Sequence, residues 1–549
     1  MQISLGAAKP SPRALPALSP AAIAACAVLF ALALRLLLLP GFGGTDDVTY
    51  ALRGAEIAQG IWRPGTHIGE LRYGINLPIA LFATLFGTGT LALTGWSLLS
   101  SVVEVGLVAW FGAVVWSRGA GLAAGFVLAV TPLHIVLGGR TLADAPLAML
   151  VTLAFVAFAS AERSGSRVRY LAAGLACGAC WWIKPTVAVP LYLAMALYIV
   201  VARRLDVRWL YTALGCALMI GAELVFLKAI SNDPFSTFKA LLPFLDNHRQ
   251  YRGDPMWGSN SPWFYFRRMF LDGREMWLVP FVAVAGAATL AHRLATARRP
   301  AATATAAADR FVLFWAATLI GIFSFFVFSL HPVRFIPKQE NYASLFLAPL
   351  ALLAAVALMR LPVAARVALA VVLAAGGLAL AGIDQQSHRQ KYSRMVQALE
   401  FARAQPDATV LVSAQTATAG RMRELTRQGA RAPGLEELAE VDRFVGADTP
   451  EASKALFIVL EPSSPERSDS VLWPKISALA RCAQPVRELP AESAGAGVTA
   501  LRLADWLRHN LPPAAGRQIG FVEPLLHPPA ASVLAVPAAC RASVAHGPR

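Results

Sequence analysis

The chain reads as long apolar runs separated by short polar connections. Residues 21–39, AAIAACAVLFALALRLLLL, carry Arg35 as their only charge and follow a polar leader with Lys9 and Arg13. This predicts a spanning helix or an uncleaved signal anchor, with the basic leader placing the N-terminus in the cytoplasm. Further apolar runs lie near 91–116, 119–137, 147–161, 170–183, 187–202, 209–228, 277–291, 311–330, 343–359 and 367–383, so about eleven transmembrane helices are predicted. Several runs are shorter than the ~20 residues a straight span needs. The pair around Lys184-Pro185 is the most irregular, because proline interrupts a helix and lysine does not sit unpaired in lipid.

Beyond residue 383 the pattern changes. Apolar runs shorten, charge rises, and strand-like pieces such as ATVLVSA (408–414) and ALFIVLEP (455–462) alternate with helical ones such as SRMVQALEFARA (393–404). The predicted architecture is an all-α polytopic membrane domain over 1–383 with a small soluble α/β domain over 384–549.

Composition agrees with this. With 56% hydrophobic and only 15% charged residues, the chain is too apolar for a soluble globular protein. The formal net charge of +16 would raise the question of nucleic acid in a soluble protein. Here the basic residues punctuate apolar runs, so a membrane partner and no nucleic acid is the reading.

Alternate connections hold Arg163, Arg167 and Arg169; Arg203, Arg204 and Arg208; Arg293, Arg298 and Arg299; and Arg360 and Arg366. Short basic connections mark the cytoplasmic side. The other set, 40–90, 138–146, the Lys184 turn, 229–276 and 331–342, then faces outward from the cytoplasmic membrane, and an odd span count puts 384–549 on that same outer side. Four of six cysteines (Cys26, Cys177, Cys180, Cys216) lie within apolar runs as small hydrophobes. Outside the cytoplasm Cys482 and Cys540 are free to form a disulfide or to remain two thiols.

The outer connections gather the polar chemistry. The first opens Gly43-Gly44-Thr45-Asp46-Asp47-Val48-Thr49-Tyr50. Asp46 or Thr45 would cap the helix-like stretch that follows, with Asp47 complementing its dipole; alternatively, a carboxylate of the pair serves as general base toward an acceptor hydroxyl. In 138–146, Arg140 and Asp144 would pair at a helix end, or Arg140 would meet a phosphate. Lys184 follows Trp181-Trp182 and either snorkels past them or neutralises a lipid-linked phosphate. The last outer loop carries His331, Arg334, Lys338, Glu340 and Asn341 between two apolar runs. The 229–276 connection adds Trp257, Trp263, Phe264, Tyr265 and Phe266 with Arg267 and Arg268, either an interfacial aromatic belt or a cover for a carbohydrate cleft. Zinc-type cysteine clusters, HExxH, a P-loop and a GxGxxG in strand context are all missing from the sequence, and Cys177-x-x-Cys180 falls inside an apolar run.

In the order of these features the chain resembles the GT-C superfamily of membrane glycosyltransferases, near the protein O-mannosyltransferase and lipid A aminoarabinose transferase group. The resemblance covers roughly 20–360: one span, an outer loop opening with Asp46-Asp47, an outer Arg140-to-Asp144 loop, the Lys184 hairpin and a late loop with Lys338-Gln339-Glu340-Asn341-Tyr342. Asp46 matches the catalytic carboxylate of the family, while Thr49 stands where the family has Arg, and Pro337 where it has His. The resemblance implies inverting transfer of a sugar from a polyprenyl-phosphate donor to a hydroxyl of a glycolipid, glycan or protein. It implies Asp46 as base, Asp47 as orienting or second carboxylate, and Tyr50, Arg140, Asp144, Lys184, Arg334, Lys338 and Glu340 around the substrates, with Glu340 orienting cations. No cofactor is required, and a divalent metal at Asp46/Asp47 is left open. Two other classes compete: a lipid-linked sugar flippase, which would show internal repeats and ionisable groups at mid-membrane, and a non-catalytic envelope assembly protein.

Overall fold

Each predicted apolar run forms helix, and the helices collect around one that is buried on every side. The computed structural model describes residues 18–63, 65, 68–250, 259–296, 304–444, 454–462, 472–492, 496–512, 516 and 519–545. In chain order the first helices are α1 (Pro20–Leu37), α2 (Asp46–Ala58), α3 (Tyr73–Phe86), α4 (Thr90–Val115), α5 (Arg118–Val130), α6 (Pro132–Gly138), α7 (Asp144–Ser164) and α8 (Arg167–Ile183). They continue with α9 (Pro185–Ala196), α10 (Tyr198–Ala202), α11 (Leu210–Ser231), α12 (Ser236–Gln250), α13 (Phe264–Arg267), α14 (Val279–Thr296), α15 (Ala304–Phe325), α16 (Ser344–Leu358) and α17 (Val363–Arg403). All fifteen residues of α16 are buried, whereas α11 buries only Gly215, Glu223 and Leu227, so α16 is the core of the bundle and α11 its rim.

Among the described residues nine helical stretches are long and apolar enough to cross a membrane, and ten if the bent pair α5–α6 makes one span. The expectation of eleven counted α8, which at 17 residues is a little short for a straight span. Two predicted runs also break. The run 119–137 bends by 68° between α5 and α6. Pro132 has no N–H to donate and drives Thr131 out of the helical region, to ψ 125°. The run 311–330 ends its helix at Phe325, and β1 (Val327–Leu330) then pairs antiparallel with β2 (Val333–Phe335).

A buried polar network holds the bend. Arg35 on α1 donates from Nε to Ser101 Oγ (3.0 Å), from Nη1 to the Ala129 carbonyl (2.7 Å), and meets His134 Nδ1 with Nη2 at 2.5 Å. Guanidinium only donates, so Nδ1 accepts, and the imidazole proton is on Nε2, which donates to Glu104 Oε2 at 3.1 Å. Thr152 Oγ1 completes the carboxylate at 2.8 Å. One cation and one anion are thus satisfied together inside the bundle, tying α1, α4, α5 and α7 to the first turn of α6.

The boundary expected at 383/384 falls inside α17, which runs unbroken for 41 residues. Its later part packs on a five-stranded sheet of β3 (Thr409–Val412), β4 (Leu435–Glu437), β5 (Leu456–Leu460), β6 (Gln484–Leu489) and β7 (Ala531–Val536), in the order β4-β3-β5-β7-β6. β4 and β5 run parallel to β3, and β7 runs antiparallel to β5 and β6. The expected strands at 408–414 and 455–462 are β3 and β5, and the expected helix at 393–404 is the end of α17. Cys482, closing α19 (Leu472–Cys482), is joined to Cys540 beyond β7; α18 (Ala414–Leu425) packs against α2.

Removing one partner of the buried network leaves the others unpaired in an apolar interior. Glu104→Ala is expected to lower stability by about 3 kcal/mol, read as thermal unfolding in detergent micelles, with Thr152→Val costing much less.

Candidate active site

A cavity of about 940 Å³ opens at one end of the bundle where four interhelical connections meet, and Thr45, Asp46, Arg140, Lys338, Glu340 and His388 are among its lining residues. The first wall is the N-terminus of α2. Thr45 ends the loop without capping the helix through its hydroxyl, and Asp46 and Asp47 occupy its first turn. The two carboxylates have opposite environments. Asp47 is fully buried and curls back to accept from the backbone N–H of Gly43, Thr45 (2.7 Å) and Val48 (3.1 Å), and from Thr45 Oγ1 (3.1 Å). Asp46 is exposed to the cavity, and its carboxylate takes no hydrogen bond or ion pair among the described residues. Burial pushes the Asp47 carboxyl upward, but Arg140, the Gly43 and Thr45 amides and His388 outweigh it and hold the group below the usual carboxylate range. Asp47 therefore remains an anion that braces the loop, and Asp46 is the carboxylate open to a ligand.

Arg140 follows α6 by two residues and reaches three segments. Nη2 donates to Thr45 Oγ1 at 2.7 Å and lies 3.7 Å from Asp47 Oδ2, while Nη1 lies 3.1 Å from His388 Nε2 on α17. Its Nε is buried without a hydrogen-bond partner among the described residues. Gly43 permits this junction, since a Cβ there would sit 2.8 Å from Arg140 Nη2 and 2.9 Å from His388 Nδ1. The anticipated pairing of Arg140 with Asp144 does not form. Asp144 instead accepts from Lys184 Nζ (3.0 Å) and Asn341 Nδ2 (3.0 Å).

Lys184 is accordingly neither snorkelling nor open to a ligand: it is buried, its ammonium 4.2 Å from the Tyr342 ring centre. Neither it nor Asp144 lines the cavity. Tyr50 is buried behind the wall with its hydroxyl accepting from Arg72, and burial drives that hydroxyl's pKa well up. Arg334 lies on β2, outside the lining.

The opposite wall comes from the stretch before α16. Lys338 is fully buried, bridged to Ser259 through the backbone (Ser259 N to Lys338 O, 2.9 Å), and among the described residues its ammonium meets the Ile336 carbonyl at 3.3 Å and the Phe335 ring, 4.8 Å from its centre. No carboxylate pairs with it among the described residues, and burial lowers its pKa to about 8. Glu340 accepts from Arg268, which also meets Glu275 Oε1 at 3.3 Å. Glu340 thus meets Arg268 rather than Lys184, Arg140, Arg334 or Lys338, the cations it was expected to orient. Of the aromatic set in this connection, Trp257 lies outside the described residues, Trp263 is exposed, and Phe264 lines the cavity with Arg268 5.3 Å from its ring centre.

Four ionisable lining residues were not singled out from the sequence: Arg274, Glu275, Asp384 and His388. Arg274 pairs with Asp384 (2.9 Å), and Asp384 lies 3.2 Å from His388. Asp384 and His388 are four apart on α17, a helical spacing the sequence does show, but the expected domain boundary had assigned them elsewhere. Among the described residues no three His, Cys, Asp or Glu side chains come together in a set able to hold a metal ion.

With this geometry in place, comparison with known proteins gives consistent results. The family described as dolichyl-phosphate-mannose-protein mannosyltransferase matches residues 74–225, less than half of the chain, a stretch that includes Arg140, Asp144 and Lys184 but not Asp46 or Lys338. No curated protein matches the chain in sequence. Among solved structures, ArnT from Cupriavidus metallidurans in the apo state is similar, with a TM-score of 0.56 at 15% identity over 96% of this chain and 99% of that one. The same protein bound to undecaprenyl phosphate gives 0.52 at 15% identity over the same shares.

The Lys338 environment gives a pH signature. In the folded protein the ammonium loses its proton near pH 8, in the unfolded chain near 10.5. Between these values the unfolded state holds more protons, so burial of Lys338 costs stability below pH 8 and the cost disappears as pH rises. Unfolding curves for the wild type and Lys338→Met are expected to differ most at pH 7, with the variant more stable, and to converge toward pH 10; a difference independent of pH would contradict the assignment.

The match over 74–225, the bundle around α16 and the two ArnT structures agree, and the chain has the GT-C fold of membrane glycosyltransferases.

Proposed function

We propose that the protein transfers a sugar from a polyprenyl-phosphate donor to an acceptor hydroxyl, with inversion at the sugar carbon, in the cavity between α2, α6 and α16. One observation carries this reading. An accessible carboxylate with no hydrogen bond or ion pair among the described residues, Asp46, shares a cavity with two buried cations, Lys338 held by a single carbonyl and Arg140, which has an unused Nε beside its contact to Asp47. That is the charge arrangement the reaction needs. Asp46 takes the acceptor proton as the acceptor oxygen bonds to the sugar carbon, and the bond from that carbon to the phosphate oxygen breaks with its electron pair left on the phosphate. Arg140, Lys338 and Arg268 stabilise the charge that develops there. Asp47 holds the loop and Glu340 orients Arg268. Lys184 and Asp144 position the Asn341 end of the opposite wall.

The step calls on no metal of its own, since protein cations supply the positive charge. Undecaprenyl phosphate bound to the similar ArnT supports a lipid-phosphate donor. The cavity faces outward from the cytoplasmic membrane in this reading, with the basic connections and N-terminus inside. In this reading the sheet region shares the outer side, since α18 packs along α2 and Gln59, at the far end of α2 from the acidic pair, donates to the Leu425 carbonyl (2.9 Å). A flippase is less well supported: the ionisable groups gather at the two ends of the bundle, and those within it, the Arg35–His134–Glu104 network and Glu223 held by Trp181 and Thr237, are satisfied by neighbouring side chains rather than strung along a path.

Asp46→Asn keeps size and polarity and removes the proton acceptor. Single-turnover transfer should fall about 100-fold or more with the fold intact. Asp47→Asn should instead lower stability, as the carboxylate loses charge against Arg140 and the Gly43 and Thr45 amides. Equal stability loss in both variants with activity retained by Asp46→Asn would contradict the division of labour. Transfer should also decline as pH rises through about 8, where Lys338 loses its charge, and Lys338→Arg should move that decline upward.

A further inference from the structure

At the far end of α7 from Asp144, about 30 Å along the helix by its rise per residue, a second cavity of about 530 Å³ opens beside α10. Arg163, Arg204 and Arg310 line it over an apolar floor that includes Phe111, Val115 and Phe311. The local acidic groups are already engaged. Glu162 accepts from Arg204 Nη2 (2.7 Å), Trp209 Nε1 (2.7 Å) and the Tyr170 hydroxyl (2.5 Å). Asp206 is taken by Arg208 (2.6 Å), and Asp309 by Arg293 (3.0 Å) and Trp116 Nε1 (2.7 Å). Arg163 and Arg310 are left without a carboxylate partner among the described residues. Two unneutralised guanidinium groups above an aromatic floor fit an anion. The wall beside them says which kind: α10 has no buried residue, and Val200, Val201 and Leu205 present exposed apolar surface next to the arginines. A soluble anion would gain nothing from that surface, whereas acyl chains would cover it.

We propose that this cavity is a binding site for an anionic phospholipid, its phosphate between Arg163 and Arg310 and its chains along α10. The site is separate from the transferase cavity and does not depend on the activity assigned there.

The test is lipid retention by the full chain in native mass spectrometry, titrated with phosphatidylglycerol, with phosphatidylcholine, and with phosphatidylglycerol against millimolar inorganic phosphate. The wild type should retain one more phosphatidylglycerol than Arg163→Gln/Arg310→Gln, with affinity at that site about tenfold or more weaker in the variant. Both side chains are exposed, so the variant should fold, and Arg163→Lys/Arg310→Lys should recover part of the retention. Arg360→Gln, in another basic connection outside the cavity, should change nothing. Equal retention in wild type and double variant, equal loss in Arg360→Gln, phosphatidylcholine retained as well as phosphatidylglycerol, or displacement by inorganic phosphate would each overturn the proposal.

Discussion

The guanidinium of Arg140 is the constraint on which the cavity end of this molecule depends. It meets the loop before α2 through Thr45 and Asp47, and α17 through His388, while it is itself delivered by α6. Each of those segments has a reason to be there. Pro132 breaks the predicted span so that α6 turns by 68°, and the Arg35–His134–Glu104 network fixes its first turn in the bundle. Gly43 leaves the space in which guanidinium and imidazole approach the loop, and Gly44, at φ +66°, lets that loop turn where a side chain would strike Met395. A charge buried this deeply is tolerated because an anion and neutral acceptors surround it. The same arrangement keeps Asp47 ionised and leaves Asp46 to the cavity.

The two adjacent carboxylates show how far residue type can be read without geometry. Capping and proton abstraction were both physically reasonable for the pair, and the structure divides them, with Asp47 in the loop-bracing place and Asp46 in the open one. The basis is direction on a helix: successive residues in a first turn point about 100° apart, so one can turn inward to the amides while the other faces out. Lys184 and Lys338 divide in the same way. Each lies in a connection between apolar runs, yet Lys184 finds Asp144 and Lys338 finds a single carbonyl. Composition around the two lysines does not distinguish them, because the deciding partner is distant in sequence.

The long helices of the bundle were legible because lipid and core demand the same thing of a helix, an unbroken apolar stretch, whereas α3 and α12, inside the 40–90 and 229–276 connections, were not located. Breaks were harder to read. Pro132 was visible in the run 119–137, but its consequence depends on what the freed half-helix packs against. The C-terminal strands β3 and β5 stood out as β-branched runs, whereas β6, with Gln484, Arg487 and Glu488 along it, is held by pairing with β7 rather than by its own pattern. His388 and Asp384 were missed for a related reason. A change from lipid-facing to packed surface along α17 looks in sequence like the start of another domain, although the helix carries on and turns two polar groups into the cavity.

The central claim is that this cavity moves sugar from a lipid-linked phosphate, and the most direct measurement supplies purified protein in detergent with one donor at a time and an extract of envelope acceptors. A polyprenyl-phosphate sugar should support transfer with release of the polyprenyl phosphate, and the corresponding nucleotide sugar should not. Transfer from the nucleotide sugar alone would contradict the account, because nothing in the arrangement of Asp46, Arg140 and Lys338 would then require a lipid donor.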